Sequence, residues 1–256
     1  MNIDKVCAFI PARGGSQGVK GKNWRMLAGS PLINWTIEFA NALESIEKIV
    51  LSTDSSQIAE AGTAGALSPM DFSTLPENSL SHLGNKMYLH KRSSAQAGTL
   101  SLISDVLFAF TKQNKVYEDY KYLLLLQPTS PFRTRIELER LLDLANQQSE
   151  WSSIVSVKSV GGMHPNRMYR IASQRATPFL DQNLGDDRPR QSLEQLYIKD
   201  GAYYLLRTEN LLNGILLGDQ ILSFERQGLW TVNIDTEEDF TYAEFAAQKL
   251  ALESQF

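Results

Sequence analysis

The chain has 256 residues, 43% of them hydrophobic and 21% charged, with a formal net charge of −4. That length buries a substantial core in one large domain, and that charge leaves no broad basic surface for nucleic acid. The single cysteine, Cys7, excludes an internal disulfide, no apolar run approaches membrane-spanning length, and the N-terminus lacks the pattern of a secretory leader, so a cytoplasmic location is expected.

Val6-Cys7-Ala8-Phe9-Ile10 is a continuous apolar run, as expected of a strand buried on both faces, and predicts a strand over 5–11. The loop that follows, up to Asn23, holds Gly14, Gly15, Gly18 and Gly21 among Arg13, Lys20 and Lys22, with Arg25 just beyond. Glycines let backbone N–H groups approach a ligand and the cations supply charge, so the expected cargo is a polyphosphate. It is not a Walker A loop, because Asn23 follows Gly21-Lys22 and Ser16 stands where the first glycine belongs; no glycine triple has the dinucleotide spacing either.

A helix is predicted from about 31 to 43, a strand over 48–53 ending at Asp54, and a helix over 55–64. Residues 65–86 contain Pro69, Pro76 and Gly84 with no sustained period and read as loop. Leu102, Val106 and Phe110 give helical spacing over 99–110. Tyr122 to Leu126 is the clearest strand, ended by Gln127-Pro128-Thr129-Ser130-Pro131, where two prolines stop both strand and helix. A helix from about Thr134 places Leu138, Leu141, Leu142 and Ala145 on one stripe, and 153–157 is a further strand. Residues 160–199 turn rich in Gly, Pro, Arg, Asp and Gln, which predicts an excursion out of the sheet. Strands are expected over 202–206, 221–224 and 229–232. A last helix starts after the capping-box-like Thr236-Glu237-Glu238-Asp239, with Phe240, Ala243, Ala247 and Leu250 buried. The alternation predicts an α/β fold on a mostly parallel sheet.

Several strand ends fall on one rim of such a sheet: the glycine loop, Ser52-Thr53-Asp54, Gln127 to Pro131, and Asn233-Ile234-Asp235. Cations at one point and carboxylates at others suit a metal–nucleotide complex, since Mg²⁺ takes one or two carboxylates together with phosphate oxygens and water. Asp235 is the best-placed ligand candidate; it serves equally well as a helix N-terminal carboxylate, and Asp54 has the same two readings.

The loop Ile10-Pro11-Ala12-Arg13-Gly14-Gly15-Ser16, with Gly18, Lys22 and Asn23, resembles the nucleotide loop of the acylneuraminate cytidylyltransferases, the CMP-sialic acid synthetases and their bacterial legionaminate and pseudaminate relatives. In order along the chain, Val50 to Asp54, His90 to Ser94, Leu125 to Arg133, Arg188 to Gln191, Gly201 to Tyr204 and Asn233 to Phe240 resemble further blocks of that family. The resemblance implies a single domain over 1–256 with a three-layer Rossmann-like nucleotidyltransferase fold, a mostly parallel mixed sheet, and a dimerisation excursion at about 160–199. It implies a homodimer that transfers CMP from CTP to a nine-carbon 2-keto sugar acid, releasing pyrophosphate, with Mg²⁺ as cofactor.

By match to the family motifs, Ala12, Arg13, Gly14, Ser16, Lys22, Asn23 and Arg92 would hold the nucleotide. Gln127, Thr129, Ser130 and Tyr204 would face the sugar, and Arg167 and Arg190 would reach the partner's site. Asp235 with Asn233 would hold the metal, and Arg13, Lys22 and Asp235 would carry the catalysis. The chain departs from the family pattern at Gln17, where Lys is common; at Asn233, where a carboxylate is usual; at Asp200, usually Asn, which would set a carboxylate near an anionic substrate; at Thr99 and Ile103, where an Asp and a polar residue are expected; and in the length of 65–86. These departures allow two further readings: a related sugar nucleotidyltransferase with an altered substrate, or a catalytically weakened nucleotide-binding homologue.

Overall fold

The computed structural model describes residues 5–63, 71–98, 101–180, 188–228 and 230–253. The apolar run of strand β1 (Val6–Pro11) is fully buried up to Ile10 and leads into the glycine loop. Two short strands, β2 (Met26–Leu27) and β3 (Ser30–Pro31), form a small hairpin before helix α1 (Leu32–Asn41). Then come β4 (Ile46–Thr53), α2 (Ser56–Thr63), β5 (Leu80–Gly84), β6 (Met87–Lys91), α3 (Ile103–Gln113) and α4 (Val116–Asp119). The second half holds β7 (Tyr122–Leu125), α5 (Arg135–Gln147), β8 (Ser153–Ser159), β9 (Tyr169–Ala172), β10 (Arg175–Pro178), β11 (Tyr197–Arg207), α6 (Thr208–Leu212), β12 (Ile221–Glu225) and α7 (Glu237–Glu253).

Eight strands form one mixed sheet in the order β12-β8-β11-β7-β1-β4-β6-β5. Pairing is parallel at β12/β8, β7/β1, β1/β4 and β4/β6, and antiparallel at β8/β11, β11/β7 and β6/β5. One face packs Ile33 and Ala40 of α1, Ile58 of α2, and Leu138, Leu141 and Ala145 of α5. The other packs Val106, Leu107 and Phe110 of α3, Val116 of α4 and Leu211 of α6. This is a three-layer α/β/α fold. Helix α7 uses Phe240, Ala243, Ala246 and Ala247 to cover Val19, Leu27 and Ile234, and so binds the chain's end to the glycine loop.

The structure corrects the sequence reading in several places. Residues 71–86 are not simply loop: β5 and β6 make a hairpin whose turn uses Gly84 (φ 116°) and Asn85 (φ 47°), and Leu83 is buried. The strand is short and polar apart from its leucines, so its period was too weak to read. Residues 64–70 and Thr99 lie outside the described residues. Helix α3 begins at Ile103 and runs to Gln113, later at both ends than its leucine spacing suggested. Residues 230–232 form no strand; Ile234 N–H donates to Thr129 O at 2.8 Å, which draws this segment to the rim, and Val232 packs under α7. The excursion contains its own two-stranded sheet, β9 with β10, but ends earlier than 199, because Tyr197 to Lys199 already pair with β8.

Candidate nucleotide-binding site

At the carboxyl rim of β1, β4, β6 and β7 lies a cavity of about 600 Å³. From the glycine loop it is lined by Arg13, Ser16, Gln17, Gly18, Lys22 and Asn23; from β6 and α3 by Arg92, Gln96, Ile103 and Val106; from the end of β7 by Gln127, Pro128 and Thr129; and from the last loop by Asn233 and Asp235. Segments more than 200 residues apart in the chain thus share one wall.

Each wall has a local cause. Gly18 presses against the last loop, where a Cβ would lie 1.9 Å from Asp235 O, a distance no side chain tolerates. Lys22 is drawn across the same contact: its Nζ donates to Ile234 O at 2.5 Å and lies 3.2 Å from Asp235 Oδ1. Asn23 Nδ2 donates to Arg13 O at 3.0 Å, and Gly14 N–H donates to Asp54 Oδ1 at 2.9 Å, so the loop is fastened at both ends. Asp54 therefore serves the loop's backbone.

The far wall is built on Gly201, whose φ of 82° is the left-handed region that a side chain would strain. A Cβ there would lie 2.8 Å from Gln127 Oε1, 2.9 Å from Ser130 Oγ and 3.3 Å from Asn233 Oδ1, so three polar groups converge over it. Ser130 Oγ donates to Asp200 O at 2.7 Å and also lies 3.3 Å from Asn233 Oδ1. Arg133, half-buried behind this wall, donates to Gln127 O at 2.7 Å and Ala202 O at 2.9 Å; burial lowers its pKa to about 10.

The expected site residues are therefore divided. Arg13, Ser16, Lys22, Asn23, Arg92, Gln127, Thr129, Asn233 and Asp235 share the cavity. Ala12, Gly14 and Ser130 support it from behind, Ala12 and Ser130 with no exposed surface. Tyr204 packs in the layer under α3, with its hydroxyl pKa raised by burial and by Asp200. Arg167 and Arg190 are exposed on the excursion, Arg190 beside Gly161 in a separate cavity of about 370 Å³.

Asp200 does not carry a free carboxylate toward the substrate. It is 1% exposed, accepts from Ser156 Oγ and Ala202 N, and pairs with Arg226 Nη1 at 2.8 Å. Arg226 also donates to Glu137 at 2.7 Å and to Phe132 O. Burial opposes its charge, but Glu137 and Asp200 outweigh that and raise its pKa. Nothing near Asp200 in the sequence signalled Arg226, 26 residues away. Three other departures do face the cavity, Gln17, Ile103 and Asn233. Gln96 was also missed, though it lies four residues from Arg92.

A model of the cytidylyltransferase family matches residues 7–68, which contain the glycine loop and the Asp54 strand end. The CMP-N,N'-diacetyllegionaminic acid synthase of Legionella pneumophila is 33% identical over 214 residues, covering 81% of this chain and 80% of that protein. The chain belongs to the acylneuraminate cytidylyltransferase family. The N-acylneuraminate cytidylyltransferase of Escherichia coli is 29% identical over 248 residues, and form A from Danio rerio 28% over 241. The chain spans about half the length of these two, 52% and 50%, while they cover 96% and 93% of it. A solved CMP:2-keto-3-deoxy-manno-octonic acid synthetase in complex with CTP has the same fold, with a TM-score of 0.64 at 17% identity over 96% of this chain and 99% of that one. Among the described residues of this family member, no helix is long and apolar enough to cross a membrane.

Proposed function

We propose that this protein is a CTP-dependent cytidylyltransferase that transfers CMP to a sialic-acid-like nonulosonate and releases pyrophosphate. The observation that carries the reading is the cavity itself, where Arg13, Lys22 and Arg92 meet Gln127, Thr129, Asn233 and Asp235 on one rim. Three cations against one carboxylate suit a triphosphate, and the converging amides and hydroxyls beside them suit a polyhydroxylated acid. The named activities of the Legionella and E. coli relatives support both substrates.

In the reaction, the anomeric hydroxyl oxygen bonds to the α-phosphorus, the bond from that phosphorus to the bridging oxygen breaks, and pyrophosphate leaves. The hydroxyl proton is released to solvent water, and Asp235 would orient the attack. Such a transfer needs little covalent help; positioning and charge neutralisation carry it. Arg13 and Lys22 would neutralise the phosphates, while Gln127 and Thr129 would orient the sugar.

The donor set fits Mg²⁺. Asp235 offers a hard carboxylate with a side chain 65% exposed, and Asn233, whose Nδ2 donates to Asp235 Oδ2 at 2.6 Å, offers an amide oxygen beside it. Among the described residues no cluster of three or more acidic, His or Cys groups occurs, so the protein supplies a sparse set that phosphate oxygens would complete. Bound there, the ion would neutralise charge on the phosphates. We further assign the protein to the cytoplasm as a homodimer. The exposed Met168, Tyr169, Ile171 and Phe179 of the excursion support the dimer.

Incubation with CTP, Mg²⁺ and a panel of neuraminic, legionaminic and pseudaminic acids tests the reading. Pyrophosphate should appear only when CTP and one of the sugars are both present; no release with any sugar overturns it.

A further inference from the structure

Ser52 and His90 stand opposite each other on the parallel strands β4 and β6, both without exposed surface, and neither lines the cavity. Ser52 Oγ lies 2.9 Å from Arg92 Nε and 2.9 Å from His90 Nδ1. A guanidinium only donates, so Ser52 Oγ accepts from Arg92 and its one proton is free to go to His90 Nδ1. In that arrangement His90 is neutral and its proton sits on Nε2, which has no hydrogen-bond partner among the described residues. A protonated ring would add a buried cation beside Arg92. The surroundings agree: the ring packs against Phe9 and Phe110, and burial, with Arg92 beside it, lowers the His90 pKa to about 4.

Arg92 shows what this chain is for. It is 6% exposed yet lines the cavity, its backbone N–H donates to Thr53 O at 2.8 Å, and its Nη2 is buried with no hydrogen-bond partner among the described residues. Burial lowers its pKa to about 10; Asp54 acts against that and Arg13 adds to it. A buried cation with an orphaned donor is costly unless an anion completes it. With Nε tied to Ser52, the guanidinium is held from behind, and its cavity-facing edge is left for a ligand.

We propose that Ser52 and His90 are positioning residues for the nucleotide: together they form a buried hydrogen-bond chain that presents the Arg92 guanidinium to an anionic oxygen of bound CTP. This rests on the CTP reading for the identity of the anion and goes beyond it in assigning the two residues behind Arg92. Neither touches substrate.

The test is calorimetric titration of CTP with Mg²⁺ into the whole protein and its variants. Ser52→Ala removes the acceptor for Arg92, and His90→Phe keeps a ring but removes the acceptor for Ser52. Each should weaken CTP binding roughly tenfold, the scale of a lost hydrogen bond to a charged group. Ser52→Thr keeps the hydroxyl and His90→Asn sets an amide oxygen near the place of Nδ1, so both should stay within about threefold. On an Arg92→Lys background, Ser52→Ala should add almost nothing, because residues acting through one group are not additive. If Ser52→Ala does not fold, His90→Phe reads the same chain. CTP binding unchanged in Ser52→Ala and His90→Phe, or losses that add in full to that of Arg92→Lys, overturns the proposal. A wild-type protein that binds no CTP overturns instead the nucleotide reading on which it stands.

Discussion

Asn233 and His90 are the residues at which single-atom chemistry decides most. At Asn233 an amide stands two residues from Asp235 and donates to it, so the pair carries one negative charge. If the pair holds Mg²⁺, Asn233→Asp adds a second carboxylate and should lower the Mg²⁺ concentration for half-maximal rate by about fivefold or more, a change read by titrating the metal at saturating CTP. An unchanged or higher midpoint would remove Asn233 from the metal site.

At His90 the folded state depresses the pKa from 6.5 to about 4. A depressed folded pKa means that the unfolded chain binds the proton first. The contribution to stability is therefore complete above pH 6.5 and is lost as pH falls through the window toward 4. Wild-type protein should lose roughly 2 kcal/mol more than His90→Asn between pH 7 and pH 5, measured by urea unfolding. Equal losses would mean that His90 is not buried neutral. From the sequence alone, Arg13, Lys22, Gln127 and Asp235 could be placed at the cavity because charged and amide groups after strand ends mark a rim. Ser52 and His90 fell within segments already singled out, but their bond to each other and their hold on Arg92 could not be read, since a Ser and a His on neighbouring strands leave no local pattern.

At the scale of elements, the far wall depends on the buried group of Asp200, Arg226 and Glu137, which ties the start of α5 and the end of β12 to β11. Asp200→Ala should destabilise the fold by about 3 kcal/mol, because it leaves the Arg226 charge buried with half its partners. It should also reduce activity, since losing the tie to Arg226 loosens the stretch of β11 whose Asp200 backbone carbonyl holds Ser130 against Asn233. Asp200→Asn keeps acceptors for Ser156 and Ala202 and should cost distinctly less. Chemical denaturation of both variants checks the order; an equal cost would mean that the lost charge accounts for the whole effect and the retained acceptors for none of it.

Helix α5 shows what was readable at this scale. Thr134 and Glu137 form a capping box, and Leu138, Leu141 and Ala145 are buried as their spacing implied, with Leu142 half-buried. Residues 80–84 show what was not: a five-residue edge strand paired on one side only, with Ser81, His82 and Gly84 among its members, lacks the periodicity that identifies a strand. The expected strand over 229–232 failed for a related reason. Val232 is buried and Trp230 half-buried, but against α7, and burial alone does not say which neighbour supplies it.

For the whole molecule, the alternation of apolar strands and amphipathic helices was enough to read an α/β fold on a mostly parallel sheet, the family resemblance implied its three layers, and the rim of strand ends pointed to the candidate site. What joins the layers was not readable, because Arg226 to Asp200 and Lys22 to Ile234 are contacts between distant segments. The hairpin of β9 and β10 stands apart from the main sheet, with Ile171 76% and Tyr169 57% exposed. If this surface joins two copies, Ile171→Lys with Tyr169→Lys should convert a dimer to a monomer in analytical ultracentrifugation, without changing the circular dichroism spectrum. A wild-type monomer, or a variant that stays dimeric, would reject that use of the hairpin.

The most direct measurement of the central claim is phosphorus NMR of a reaction holding CTP, Mg²⁺ and the nonulosonate that the panel selects. The account predicts loss of all three triphosphate resonances and matched growth of pyrophosphate and of a single phosphodiester, the CMP-sugar. Pyrophosphate accompanied by free CMP, with no phosphodiester at any time, would show hydrolysis in place of transfer and would contradict the account.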